Sequence, residues 1–248
     1  MSDANFVWFD LMTTDPEGAK AFYTEVAGWG LESWDADPDY AMWTVDGKAI
    51  GGVRQLPEAT QAAGVPPNWL GYVTVPDSEA TARQITALGG TVLMTMNVPP
   101  VGAWAVFSDP QGAVVAAFTP AGEASADTKT AGHFSWHELM TTDYKTAWEF
   151  YKAVFGWQIT DDMDMGPEMG VYRMYGNNPE NTLGGMMTWT QSPPAWLYYI
   201  HVNDLDAALA TVKRLGGSVV NGPMEVPGGD RVAQCQDPQG GFFALHSN

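Results

Sequence analysis

Cysteine, histidine and basic side chains are all scarce in this chain. A single cysteine, Cys235, excludes an internal disulfide and agrees with a reducing compartment. Only 11 Lys and Arg stand against 29 Asp and Glu, giving a formal net charge of −18. No basic stripe is left to neutralise phosphates, which excludes nucleic acid as a partner and disfavours an anionic membrane surface even more. No apolar run approaches the roughly 20 residues that span a bilayer. The amino terminus lacks the positive-then-apolar pattern of a signal peptide. These absences together lead to the expectation of a cytoplasmic protein whose acidity serves solubility.

What is present is a sequence stated twice. Trp8-Phe9-Asp10-Leu11-Met12-Thr13-Thr14-Asp15 returns 128 residues later as Trp136-His137-Glu138-Leu139-Met140-Thr141-Thr142-Asp143. The echo continues through Phe22-Tyr23 and Phe150-Tyr151, Gly28-Trp29 and Gly156-Trp157, and Gly51-Gly52 and Gly184-Gly185. It closes with Leu88-Gly89-Gly90 and Leu215-Gly216-Gly217, then Asp109-Pro110-Gln111-Gly112 and Asp237-Pro238-Gln239-Gly240. Colinear matching over this length marks a duplicated domain rather than a short-period solenoid. Cys235 has Phe107 as its counterpart in an alternating run, so it reads as a buried strand residue.

The 248 residues, 45% hydrophobic, suffice for two domains with cores of their own. Small and polar residues over 121–131 mark a linker between a first domain, 1–120, and a second, 132–248. Each copy begins with a strand, Val7 to Thr13 or Phe134 to Thr141, ended by an Asp suited to capping the next helix. Gly28 or Gly156 stops that helix before a Trp. Strands follow over Tyr40 to Val45 and Ala49 to Leu56, or Gly170 to Tyr175 and Leu183 to Thr190. A further strand, Trp69 to Val75 or Trp196 to Val202, ends at Asp77 or Asp204, and a helix then leads to three more strands. Each half thus reads as two βαβββ modules, about 5–58 and 67–120, then 132–191 and 194–248.

With its strand, Asp, Phe-Tyr helix closing on Gly-Trp, Leu-Gly-Gly stop and Asp-Pro-Gln-Gly turn, the chain resembles the vicinal oxygen chelate superfamily. That group includes glyoxalase I, bleomycin-resistance proteins and extradiol dioxygenases, and the likeness to its two-domain glyoxalase-like members covers nearly the whole chain. The resemblance implies an α+β fold in which two modules make an eight-stranded, U-shaped mixed sheet with helices on the convex side and ligand on the concave side. It also implies where metal donors would stand. Those positions fall on Trp8, Leu70, Trp136 and Leu197, and on Ala116 and Ala244 of the final strands, none of which offers a donor. The glycine-rich strands Ile50 to Arg54 and Leu183 to Met187 offer no carboxylate or imidazole either. The expectation is a cleft with no protein-held metal and no cofactor, because a bound ion needs about three converging donors.

Alternation along the strands places Trp8, Asp10 and Met12, and Trp136, Glu138 and Met140, on the cavity face. Leu70, Tyr72, Thr74, Ala116 and Phe118 join the first set, and Leu197, Tyr199, His201, Ala244 and His246 the second. The ligand-binding candidates are therefore Trp8, Asp10, Tyr72, Phe118, Trp136, Glu138, Tyr199, His201 and His246. Asp10 and Glu138 stand out, since a carboxylate among aromatics is costly unless paired. Each either accepts bonds from a neighbouring Tyr, Trp or backbone group and fixes the sheet, or faces a dry cavity and acts as a general base. Counting residues from the donor layer puts His201 roughly 13 Å and His246 roughly 7 Å away at about 3.3 Å per residue, too scattered to rebuild a metal site with Glu138. His137 alternates to the helix-covered face and His133 borders the linker.

Arg54, Arg173 and Arg231 read as surface residues before anion ligands. Met163-Asp164-Met165 and Pro167 read as a loop insertion unique to the second copy. Trp69 and Trp196 suit core, pocket rim or domain interface. The leading functional reading is a metal-free binder of a small apolar or aromatic molecule, in a pseudo-dimeric monomer or homodimer. Its rivals are a glyoxalase-type lyase or isomerase, metal-dependent or using Glu138 or Asp10 as base, and a structural protein with vestigial pockets.

Overall fold

The computed structural model describes residues 4–122 and 129–248, so most of the expected linker lies outside the described residues. The first half contains β1 (Phe6–Thr13), α1 (Pro16–Val26), β2 (Gly30–Trp34), β3 (Asp37–Val45) and β4 (Lys48–Gln55), then a short α2 (Glu58–Ala62). It continues through β5 (Asn68–Thr74), α3 (Ser78–Ala87), β6 (Thr91–Val98), β7 (Gly102–Ser108) and β8 (Val114–Pro120). The second half contains β9 (Phe134–Thr141), α4 (Tyr144–Phe155), β10 (Gln158–Asp164), β11 (Val171–Asn178) and β12 (Asn181–Thr188). After it come β13 (Ala195–His201), α5 (Leu205–Arg214), β14 (Ser218–Glu225), β15 (Arg231–Gln236) and β16 (Phe242–Ser247).

Two eight-stranded mixed sheets result, ordered β2-β3-β4-β1-β5-β8-β7-β6 and β10-β11-β12-β9-β13-β16-β15-β14. Each sheet draws its strands from one half, and the α+β architecture is the one the module pattern predicts. The four Asp residues do cap their helices. Asp15, Asp77, Asp143 and Asp204 each accept backbone N–H bonds from the first turn, satisfying donors that a helix start leaves open. Gly156 ends α4 in the left-handed conformation at φ 72°, which a side chain would strain. The residues around Met163 are not a free loop insertion: β10 runs on through Asp164, pairs with Val171, and turns back over 165–170.

Chain contacts divide the molecule differently from its sheets. One compact unit combines residues 1–7, 71–126 and 136–197, the other 8–70, 127–135 and 198–248. Each unit therefore owes its core to both halves of the sequence. In the second unit the Trp69 indole donates to the Tyr23 hydroxyl at 3.1 Å, which donates to Asp237 Oδ2 at 3.0 Å. The first unit mirrors it, with Trp196 donating to Tyr151 at 3.2 Å and Tyr151 to Asp109 Oδ2 at 3.1 Å. Trp29 likewise donates to the Gly132 carbonyl at 2.6 Å, and Trp157 to that of Ala4 at 2.9 Å. Trp69 and Trp196 are core residues, ringed by Tyr23, Trp29 and Phe134, and by Tyr151, Trp157 and Tyr175. Cys235 is fully buried, and desolvation pushes its thiol up to about 12. It is inert as a nucleophile at neutral pH.

Two predictions follow from this division. A fragment ending in the 121–131 segment carries Tyr23 and Trp29 without Asp237 and Gly132, so either half alone is expected to lack a fixed near-UV circular dichroism spectrum. Mixing the halves should restore it; a native spectrum from one half in monomeric form refutes the shared core. Burial raises the carboxyls of Asp109 and Asp237 above their ordinary range, against the lowering effect of their backbone hydrogen bonds. The native fold thus favours their protonated forms. Their contribution is fully present below the ordinary carboxylate pKa and is lost as pH rises through the raised native value. Denaturant melts of the Asp109→Asn and Asp237→Asn variants should show a shallower fall in stability over that window than the parent.

Candidate functional site

On β1 the side chains of Trp8 and Asp10 lie on one face and meet a residue from β3. The Trp8 indole N–H is shared between Asp10 Oδ1 at 2.9 Å and the Tyr40 hydroxyl at 3.0 Å, and Tyr40 donates to the same Oδ1 at 2.6 Å. Asp10 is 7% exposed, a carboxylate that only such donors make tolerable. Burial, and then the charge of Asp10, hold the Tyr40 hydroxyl well above its ordinary pKa, so it remains a donor. Around this triad Trp34 meets Tyr40 edge to face at 5.7 Å, and the Arg54 guanidinium lies 5.8 Å from the Tyr40 ring centre while pairing with Asp37 at 3.1 Å. Of the two roles open to Asp10, the geometry shows the hydrogen-bonded one.

The second half repeats the arrangement with a change. Trp136 on β9 donates to the Tyr172 hydroxyl on β11 at 2.8 Å, and Glu138 is 7% exposed on the same face. Arg173 pairs with Asp162 through two bonds of 2.7 and 2.8 Å and covers the Tyr144 and Trp148 rings. Tyr40 and Tyr172 were not among the sequence candidates. A signal existed: Tyr40-Ala41-Met42-Trp43 recurs as Tyr172-Arg173-Met174-Tyr175. Their ring positions also explain the second glycine of each Gly-Gly pair. Gly52 is the register partner of Asp10 and Gly185 that of Glu138, and a Cβ at either would overlap the Tyr40 or the Tyr172 ring.

The remaining candidates fall into two groups. Tyr72, Phe118 and Trp104 form a three-ring cluster with centres 6.2 to 6.3 Å apart and steep interplanar angles. Tyr199 is register partner to Ala244, and His201 to His246. Parallel pairing sets the ring centres of His201 and His246 5.0 Å apart, and among the described residues no third His, Cys, Asp or Glu joins them closely enough to hold an ion. His246 bonds Ser135 and Asp230, while His201 Nδ1 is buried without a hydrogen-bond partner among the described residues. His137 is buried as expected, stacked on Phe6 at 4.0 Å with Nδ1 2.7 Å from the Leu183 carbonyl. Arg231 is paired with Asp206 at 2.9 Å.

The donor positions implied for a metal do not fit one. The Trp8 indole is a donor spent on Asp10 and Tyr40, Trp136 on Tyr172, and Leu70, Leu197, Ala116 and Ala244 are buried hydrocarbon. Among the described residues no three His, Cys, Asp or Glu side chains stand close enough to hold an ion.

The clash at the glycines gives a direct check on the triad. Gly52→Ala should expel Tyr40 and leave Asp10 with a weakened donor set, at a cost of about 2 to 4 kcal/mol in denaturant unfolding. Tyr40→Phe should cost less, about 1 to 2 kcal/mol, since one donor is lost without overlap. A neutral Gly52→Ala would show that Tyr40 does not lie across this strand.

Residues 130–245 match the profile of the Glyoxalase/Bleomycin resistance protein/Dioxygenase superfamily, and residues 6–118 that of a glyoxalase-like domain. The chain is 31% identical to a protein named as a glyoxylase, CFP32, from Mycobacterium tuberculosis (strain CDC 1551 / Oshkosh), over 96% of this chain and 92% of that one. It is 32% identical to the anthracycline biosynthesis protein DauV of Streptomyces sp. (strain C5), over 96% and 91%. Among solved structures, the Mn(II)-bound glyoxalase from Novosphingobium aromaticivorans superposes with a TM-score of 0.69 at 16% identity, over 100% of this chain and 83% of that one. Homoprotocatechuate 2,3-dioxygenase from Arthrobacter globiformis gives 0.71 at 12%, over 99% and 80%, a likeness of fold. No helix among the described residues is long and apolar enough to cross a membrane. The chain belongs to the Glyoxalase/Bleomycin resistance protein/Dioxygenase superfamily.

Proposed function

We propose that the protein is a cytoplasmic binder of a small, planar aromatic molecule and holds it without a protein-bound metal. The observation that carries this reading is the pair of partly exposed indoles, Trp8 and Trp136, at positions where a metal-dependent member would present donors. Each indole N–H is already bonded, to Asp10 and Tyr40 or to Tyr172, which fixes the ring and leaves its π face for a ligand. A fixed aromatic face with its polar edge satisfied is a low-entropy platform for stacking. Tyr72, Phe118, Tyr199, His201 and His246 are proposed as further ligand-contacting residues. The names of the Streptomyces relatives point the same way, since an anthracycline is a polycyclic aromatic.

The test is calorimetric titration with a hydroxyanthraquinone probe, before and after exhaustive treatment with a chelator. Binding should survive chelation unchanged, and Trp8→Ala and Trp136→Ala should each weaken one class of site about tenfold, which is 1.4 kcal/mol. Affinities unchanged in the double variant would refute the reading, as would stoichiometric metal held by side chains in the purified protein. Turnover of a hemithioacetal that survives chelation and is lost in Glu138→Gln would place the chain with the lyases instead.

A further inference from the structure

The halves differ in kind at one corner, where four first-half residues with no ionisable group are matched in the second by a polar set. Val7, Thr74, Gly102 and Phe118 correspond to Ser135, His201, Asp230 and His246. The substitutions are coupled in space. In the first half a Cβ at Gly102, whose φ is 143°, would meet the Thr119 carbonyl oxygen first and then the Phe118 ring at 2.8 Å. In the second half an imidazole stands at the Phe118 position and a carboxylate at that of Gly102.

The new groups form a hydrogen-bonded line. Asp230 Oδ2 lies 3.0 Å from His246 Nε2, and His246 Nδ1 lies 2.9 Å from Ser135 Oγ. An ionised carboxylate only accepts, so Nε2 carries the imidazole proton and Nδ1 presents a lone pair. Ser135 must then donate to Nδ1; the alternative acceptor, the Tyr199 carbonyl, is at a weak 3.4 Å. This is the polarity of a serine nucleophile with its base and orienting acid, recognised by roles rather than by chain order. The His201 ring, 5.0 Å away, adds a second imidazole whose Nδ1 has no hydrogen-bond partner among the described residues.

We propose that Asp230, His246 and Ser135 form an acyl-transfer relay, which shares His246 with the proposed ligand-contacting set but does not require an aromatic ligand, and that it acts on esters of small carboxylic acids. The size limit comes from burial: Ser135 is 4% exposed and the His246 side chain 16%. Ser135 Oγ attacks the ester carbonyl carbon and its proton passes to His246 Nδ1. The bond to the alkoxy oxygen then breaks, and the alcohol leaves with that proton. Water attacks the acyl-serine, gives one proton to His246, and releases the carboxylic acid as the proton returns to Ser135.

The experiment incubates the whole protein with p-nitrophenyl acetate, follows nitrophenol release, and locates the acetyl group by peptide mass spectrometry. One acetyl per chain on Ser135 is expected, absent in Ser135→Ala. His246→Gln should slow acetylation about a hundredfold or more, the scale of a lost general base. Asp230→Asn, at a half-exposed position, should slow it roughly tenfold while the label stays on Ser135 and the circular dichroism spectrum is unchanged. Acetyl found only on lysines, no acetylation, or an undiminished rate in His246→Gln would each overturn the proposal.

Discussion

A buried carboxylate held by a tyrosine from the other half of the chain is the constraint on which this structure depends. Asp237 accepts from Tyr23, and from the backbone N–H groups of Gln239 and Gly241 in its own turn. Asp109 does the same with Tyr151 and with Gln111, Gly112 and Ala113. A carboxylate this deep is tolerable only with its acceptor sites filled, so removing the tyrosine leaves a cost that neither half can meet alone. Each half contributes its own sheet and completes the other's aromatic core. The repeated Phe-Tyr, Gly-Trp and Asp-Pro-Gln-Gly pieces are therefore interlocking parts, and neither copy can lose one without disturbing a core it shares with the other.

This explains what could be read from the sequence. The helix caps, glycine stops and strand alternation are local, and all act over a few residues, so they were legible and positioned the modules. Asp-Pro-Gln-Gly was legible as a turn and as a family mark, but its partner Tyr23 lies 214 residues away. No periodicity links such a pair. The site was legible to the depth of one strand: Trp8 and Asp10 share a face because they are two apart, whereas Tyr40 arrives from β3 through a register that only the folded sheet sets. The contact between His201 and His246 is likewise decided by pairing between strands and not by counting along either.

Outside the interlocked core the halves have been free to differ, and they differ in kind. Asp10 is closed into a three-way hydrogen-bonded set with Trp8 and Tyr40, while its longer counterpart Glu138 stands beside a Trp136 whose N–H goes to Tyr172. The two counterpart carboxylates thus differ by one methylene on the same scaffold, beside indoles that spend their N–H groups differently. The corner carrying Phe118 and Trp104 in the first half carries His246, Asp230 and Ser135 in the second. A duplication that locks the core thus leaves the strand faces as the place where chemistry diverges.

The magnitude of aromatic stacking then constrains what such a face can hold. Covering about 100 Å² of indole and ligand surface at ~25 cal/mol per Å² yields about 2.5 kcal/mol. A micromolar complex needs about 8.2 kcal/mol, so a single indole cannot retain a one-ring ligand tightly. In the proposed metal-free reading, the ligand must engage further aromatic surface or hydrogen-bond to a buried polar group. A fused-ring molecule meets the first requirement and a phenol or quinone oxygen the second. The proposed platform of Trp8 and Trp136, with a carboxylate two residues on, therefore asks for a fused-ring, oxygen-bearing aromatic rather than a single-ring ligand.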